Sequence, residues 1–87
     1  MVILAHYFDN TERMENLSYA IGYYRKAKKL TQEQLAEAVG ISRQHLASIE
    51  APRMNRGLSL ELLFNIATVL EVEPYVCLLY TSDAADE

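Results

Sequence analysis

Apolar residues recur along this chain at helical spacing. Between about Glu15 and Lys29, Leu17, Ile21, Tyr24 and Ala27 return every three or four positions, which predicts a helix with those residues as its buried stripe. Lys26, Lys28 and Lys29 lie toward its end, where cations complement the helix dipole. Thr31 is a natural N-cap and Gln34 completes a capping box, so a second helix is expected from Gln32 to Val39. Leu35, Ala36 and Val39 share its inner face. Gly40 supplies a turn that needs a left-handed backbone, which glycine adopts without steric cost. A third helix follows Ser42, a second N-cap, and ends near Glu50, before Ala51-Pro52 stops it. A fourth begins after Ser59, with Leu60, Leu63, Phe64, Ala67 and Leu70 on one face, and a fifth starts at Glu73-Pro74. No stretch alternates with the period of a strand, and no internal repeat interrupts the pattern.

The expected fold class is therefore all-α, five helices in one small domain. Helices 2 and 3 are the informative pair. Ile41, Leu46 and Ile49 seal the third helix on the second, and the small Ala36 lets them approach closely. Two short helices around a glycine turn make a helix-turn-helix, the geometry that presents its second helix to a DNA major groove.

Composition first argues against that reading, then for it. The net charge is −4, unpromising for a nucleic-acid binder. Seven of the eight basic residues, however, fall between Arg25 and Arg56, against three acids (Glu33, Glu37, Glu50), a local excess of four. Local field, not total charge, steers a phosphate backbone. The chain contains no Ser/His/Asp or Cys/His set and no phosphate-cradling glycine loop, so no enzyme activity and no cofactor are expected. His45 lacks Cys or acidic partners at ligand spacing, so no metal is expected either. No apolar run has the length of a membrane span, and one cysteine fits a reducing cytoplasm.

From Ile21 to Val76 the residues resemble the phage-repressor-type, lambda-repressor-like helix-turn-helix family, also called the xenobiotic-response-element family of bacterial regulators. The likeness is carried by Arg25, by Leu30-Thr31-Gln32-Glu33-Gln34-Leu35-Ala36, by Val39-Gly40-Ile41-Ser42, and by Leu46, Ile49 and Glu50. Leu60, Leu63, Ile66-Ala67 and Leu70-Glu71-Val72 supply the family's fourth helix. The resemblance implies a sequence-specific DNA-binding transcriptional regulator, a repressor in the first instance. Gln32 then contacts a phosphate, and Arg43 and Gln44 touch base edges at the exposed start of helix 3. Ser48 shares their outward face, and Ser42, Arg53, Asn55 and Arg56 join the expected DNA-contact set. Arg25 and Glu50 match a structural ion pair between helices 1 and 3. The chain departs from the family at Ala51-Pro52, where Asn-Gly is frequent, and in a longer loop before helix 4. The implied partners are double-stranded DNA and a second copy of the chain on a palindromic operator. The alternative is an antitoxin or mobile-element accessory protein that uses the same fold to bind a protein.

The ends of the chain read differently from its middle. Residues 1–13 show little helical periodicity, and an arm preceding a domain at 14–76 is expected. The run from Cys77 to Glu87 resembles the translation of a transposase-type sequencing-library adapter. A foreign tail is thus expected after Val76, with Cys77 carrying no function.

Overall fold

The computed structural model describes residues 9–53 and 57–80. They form α1 (Thr11–Ala27), α2 (Gln32–Val39), α3 (Arg43–Glu50), α4 (Leu60–Leu70) and α5 (Pro74–Leu79), with no strand among the described residues. Local chemistry sets the helix starts. Thr31 Oγ1 accepts from the Gln34 N–H at 3.0 Å, and the Gln34 side chain accepts from the Thr31 N–H at 2.8 Å, a reciprocal capping box. Ser42 and Ser59 cap α3 and α4 by one bond each, accepting from the N–H groups of His45 and Leu62. Pro74 opens α5, where its missing N–H costs nothing.

Three helix ends, those of α1, α2 and α4, share one geometry. Lys29, Gly40 and Glu71 each follow a helix with φ near +60° to +80°. In each case the next residue (Leu30, Ile41 or Val72) donates its N–H to a carbonyl five residues back and packs on the core. This is the Schellman arrangement, which satisfies carbonyls left open by the helix end. Gly40 was expected in it. Lys29 and Glu71 were not, because a residue with a β-carbon ordinarily avoids that region.

α1 starts four residues earlier than its apolar stripe suggested and stops before Lys29. Its first turn is polar and exposed, so it carries no periodicity to read. Asp9 accepts the Thr11 N–H at 3.0 Å, which satisfies one of the open donors there, and the Thr11 hydroxyl first and its N–H second hold the Asp9 carboxyl below its usual range.

Leu17, Ala20 and Ile21 of α1 meet Leu35 and Ala36 of α2, Leu46 and Ile49 of α3, and Leu62, Leu63, Ile66 and Leu70 of α4 in one core. Two sequence expectations need correction. Ala27 is exposed, outside the buried stripe of α1. α4 is rotated: Leu62 and Ile66 point inward, while Leu60 and Phe64 are exposed. The reason is that Leu-Glu-Leu-Leu-Phe-Asn-Ile-Ala-Thr-Val-Leu fits helical spacing in two registers that share Leu63, Ala67 and Leu70. Packing, rather than pattern, chooses between them.

α5 closes the bundle against α1 and continues past the Val76 boundary. Cys77 is fully buried in the core, and burial pushes its thiol above the usual range. Tyr80 packs near Tyr23 and Tyr24, with ring centroids 5.8 Å and 6.3 Å away.

Candidate nucleic-acid interface

The site begins with how α3 is seated. Ser18, Gly22 and Arg25 lie on one face of α1 at spacings of four and three, and each meets the C-terminal end of α3. The buried Ser18 hydroxyl donates to the Ile49 carbonyl at 2.7 Å. Gly22 lies against the Glu50 carboxylate, where a β-carbon would sit 3.4 Å from Glu50 Oε1, at contact distance. Arg25 grips that carboxylate with two parallel bonds, Nε to Oε2 at 2.7 Å and Nη2 to Oε1 at 3.1 Å. Its remaining Nη1 donates to the Leu30 carbonyl at 2.7 Å. The two side chains are 10% and 8% exposed, so this is a buried, bidentate pair in which each guanidinium nitrogen has a partner.

The pair reaches the surface through Gln32. Gln32 Nε2 donates to Glu50 Oε1 at 3.1 Å, and Gln32 Oε1 accepts from Arg43 Nη1 at 3.1 Å. A carboxylate only accepts and a guanidinium only donates, so chemistry dictates which way the amide faces. One chain of hydrogen bonds thus runs from Arg25 in the interior, through Glu50 and Gln32, to Arg43 at the exposed N-terminal turn of α3. Gln44 is exposed beside Arg43. The resemblance paired Arg25 with Glu50, and that ion pair is present, but it gave Gln32 and Arg43 separate roles. The bonds of Gln32 to Glu50 and Arg43 have no signature in spacing, and the seat formed by Ser18, Gly22 and Arg25 was missed, its signal being their spacing of four and three on one helix face.

The remaining expected contacts divide. Ser42 is exposed, with its hydroxyl accepting as the α3 cap. Ser48 is half-buried and its hydroxyl donates to the His45 carbonyl at 2.8 Å, so it is less available than an outward-facing residue would be. Arg53 is largely exposed and reaches Glu15 on α1 at 3.3 Å. Asn55 and Arg56 lie outside the described residues. Among the described residues, no group of His, Cys, Asp or Glu side chains is disposed to hold a metal ion, and no helix is long and apolar enough to cross a membrane.

Comparison with known proteins agrees with this architecture. A family model described as helix-turn-helix matches residues 21–76. An uncharacterized HTH-type transcriptional regulator of Methanocaldococcus jannaschii, MJ0272, is 39% identical over 61 residues, spanning 70% of this chain and 89% of the relative. The crystal structure of the clp gene regulator ClgR from Corynebacterium glutamicum superposes with a TM-score of 0.73 at 28% identity, covering 83% of this chain and 74% of ClgR. SinR, the master regulator for biofilm formation, solved in complex with DNA, superposes with a TM-score of 0.64 at 31% identity, covering 71% of this chain and 97% of SinR. The five-helix order, the capped α2-turn-α3 unit and these matches together place the chain in the phage-repressor-type helix-turn-helix family of DNA-binding transcriptional regulators.

Proposed function

We propose that this chain is a repressor that reads an operator with the N-terminal turn of α3 in the major groove. The observation that carries the reading is the bond chain ending at Arg43, which holds an exposed guanidinium beside Gln44 on a buried foundation. Arg43 suits guanine, donating to O6 and N7, and Gln44 suits adenine in the same bidentate manner. Gln32 commits one amide N–H to Glu50, which leaves the second for a phosphate oxygen. Arg53 adds a backbone contact from the loop after α3. A single module reads few base pairs, so the active form is a two-fold dimer on a palindrome. The exposed Leu60 and Phe64 on α4 and Tyr75 on α5 are apolar surface for a second copy. The chain acts in the cytoplasm and without enzymatic activity.

Selection of bound duplexes from a random pool tests the proposal. An enriched motif with two-fold symmetry is expected, and recovery of no motif at moderate salt overturns it. On the selected site, Arg43→Ala should relax preference at one base pair by about 1–3 kcal/mol. Arg53→Ala should instead weaken binding to all sequences and lower the salt slope by about one. Equal losses on specific and random DNA for Arg43→Ala would remove it as a base reader.

A further inference from the structure

His45 follows Gln44 on the first turn of α3, and its polar groups are tied on several sides. Its backbone N–H donates to Ser42 Oγ at 3.0 Å, its carbonyl accepts the Ser48 hydroxyl at 2.8 Å, and its ring Nε2 lies 3.2 Å from the Gly57 carbonyl oxygen. A carbonyl only accepts, so Nε2 carries the hydrogen, which specifies one tautomer of the neutral ring. The imidazolium also carries a hydrogen there, so the bond survives protonation.

Gly57 meets the ring with its backbone. Its φ is 75°, and a β-carbon built on it would fall 2.5 Å from Nε2. The left-handed backbone favours glycine at this position, and a β-carbon there would push the tip of the ring away from the carbonyl. α3 packs chiefly on α1 and α2. The His45–Gly57 bond adds a tie from its N-terminal turn to the segment that runs through Leu58 into the Ser59 cap of α4.

We infer that His45 is a positioning residue for DNA reading, a clamp that fixes the turn bearing Arg43 and Gln44 against the entry of α4. The inference rests on the proposed base-reading role of those two residues. The clamp works without touching a base: with the ring gone, the start of α3 keeps its Ser42 cap but loses its lateral anchor, and the two reading side chains lose a fixed origin.

The test uses the full 87-residue chain. Long-range proton–nitrogen correlation spectra of the His45 ring should show the Nε2–H tautomer in the free protein and on the selected operator. His45→Ala should lower discrimination between that operator and an unrelated duplex by about tenfold, the worth of one hydrogen bond. His45→Gln, which keeps a donor at comparable reach, should recover most of it, with both variants melting as cooperative folded domains. A ring in the Nδ1–H tautomer, or discrimination by His45→Ala within about twofold of the original chain, below the worth of a single hydrogen bond, overturns the clamp. Should His45→Ala fail to fold, the tautomer and His45→Gln decide. If the unmodified chain itself does not discriminate, the reading role of Arg43 and Gln44 fails, while the tautomer still decides whether the tie to Gly57 exists.

Discussion

Replacing Glu50 with alanine strands the Arg25 guanidinium in the protein interior. In the intact structure three of its N–H groups are accounted for, two by Glu50 and one by the Leu30 carbonyl. Removing one member of a buried ion pair typically costs ~3–5 kcal/mol, because the surviving charge keeps its desolvation penalty. The same substitution in an exposed pair costs ~1 kcal/mol or less. At 8–10% side-chain exposure, the first regime applies. A domain of this size has roughly 4–13 kcal/mol of total stability, so the loss consumes a large share of it. At about 4–8 °C per kcal/mol, the melting temperature should fall by at least ~12 °C. Glu50→Ala also removes the partner that orients Gln32, so DNA affinity should drop even at temperatures where the variant remains folded.

Thermal denaturation followed by circular dichroism measures the first effect, and a double variant identifies its cause. Arg25→Met with Glu50→Leu removes both charges and replaces them with apolar volume, so it should recover much of the stability that Glu50→Ala loses. It should not recover DNA affinity, since Gln32 remains unanchored. A loss of ~1 kcal/mol or less for Glu50→Ala would mean the pair behaves as though water reached it, and would refute the reasoning.

Ser18→Ala should cost about 1–3 kcal/mol by leaving the Ile49 carbonyl buried without its donor; chemical denaturation reads this directly. Gly40→Ala should cost ~1–2 kcal/mol from backbone strain alone, because φ is 80° and nothing lies within 4 Å of the added β-carbon. The converse change, Lys29→Gly, should stabilise by up to ~1 kcal/mol by relieving the same strain; a lower melting temperature would count against it. Glu71, held below the usual carboxylate range by its hydrogen bond and charge contact with Lys28, contributes stability above its unfolded-state value. That contribution disappears as pH falls through the lowered folded value, so Glu71→Gln should flatten the acid side of the stability profile by a small amount. An unchanged profile would show that the contact carries no linkage.

The parts of the fold legible in the sequence are those with local causes. The starts of α2, α3 and α4 follow from Thr31, Ser42 and Ser59, and that of α5 from Pro74, each acting on its own backbone neighbours. The first turn of α1 was illegible because Thr11, Glu12 and Arg13 face solvent and carry no apolar period. The inward face of α4 was illegible for the opposite reason, an excess of apolar residues that fits two registers. The left-handed conformations of Lys29 and Glu71 are imposed by tertiary packing of Leu30 and Val72, and neither residue type advertises them. At the site, residue identities came through resemblance, whereas the orientation of Gln32 between Glu50 and Arg43 depends on three-dimensional juxtaposition that no spacing encodes.

The seat that Ser18, Gly22 and Arg25 make for α3 has a consequence for how such a chain changes over time. It anchors α3 by its C-terminal end, whereas Arg43 and Gln44 project from the other end and contribute nothing to the apolar core. Substitutions at 43 and 44 are therefore nearly free of folding cost, and substitutions at 18, 25 and 50 are not. Under the proposed reading role of Arg43 and Gln44, such a partition would let one scaffold be re-addressed to new operators by altering two exposed side chains, with the buried half of the same short helix held constant.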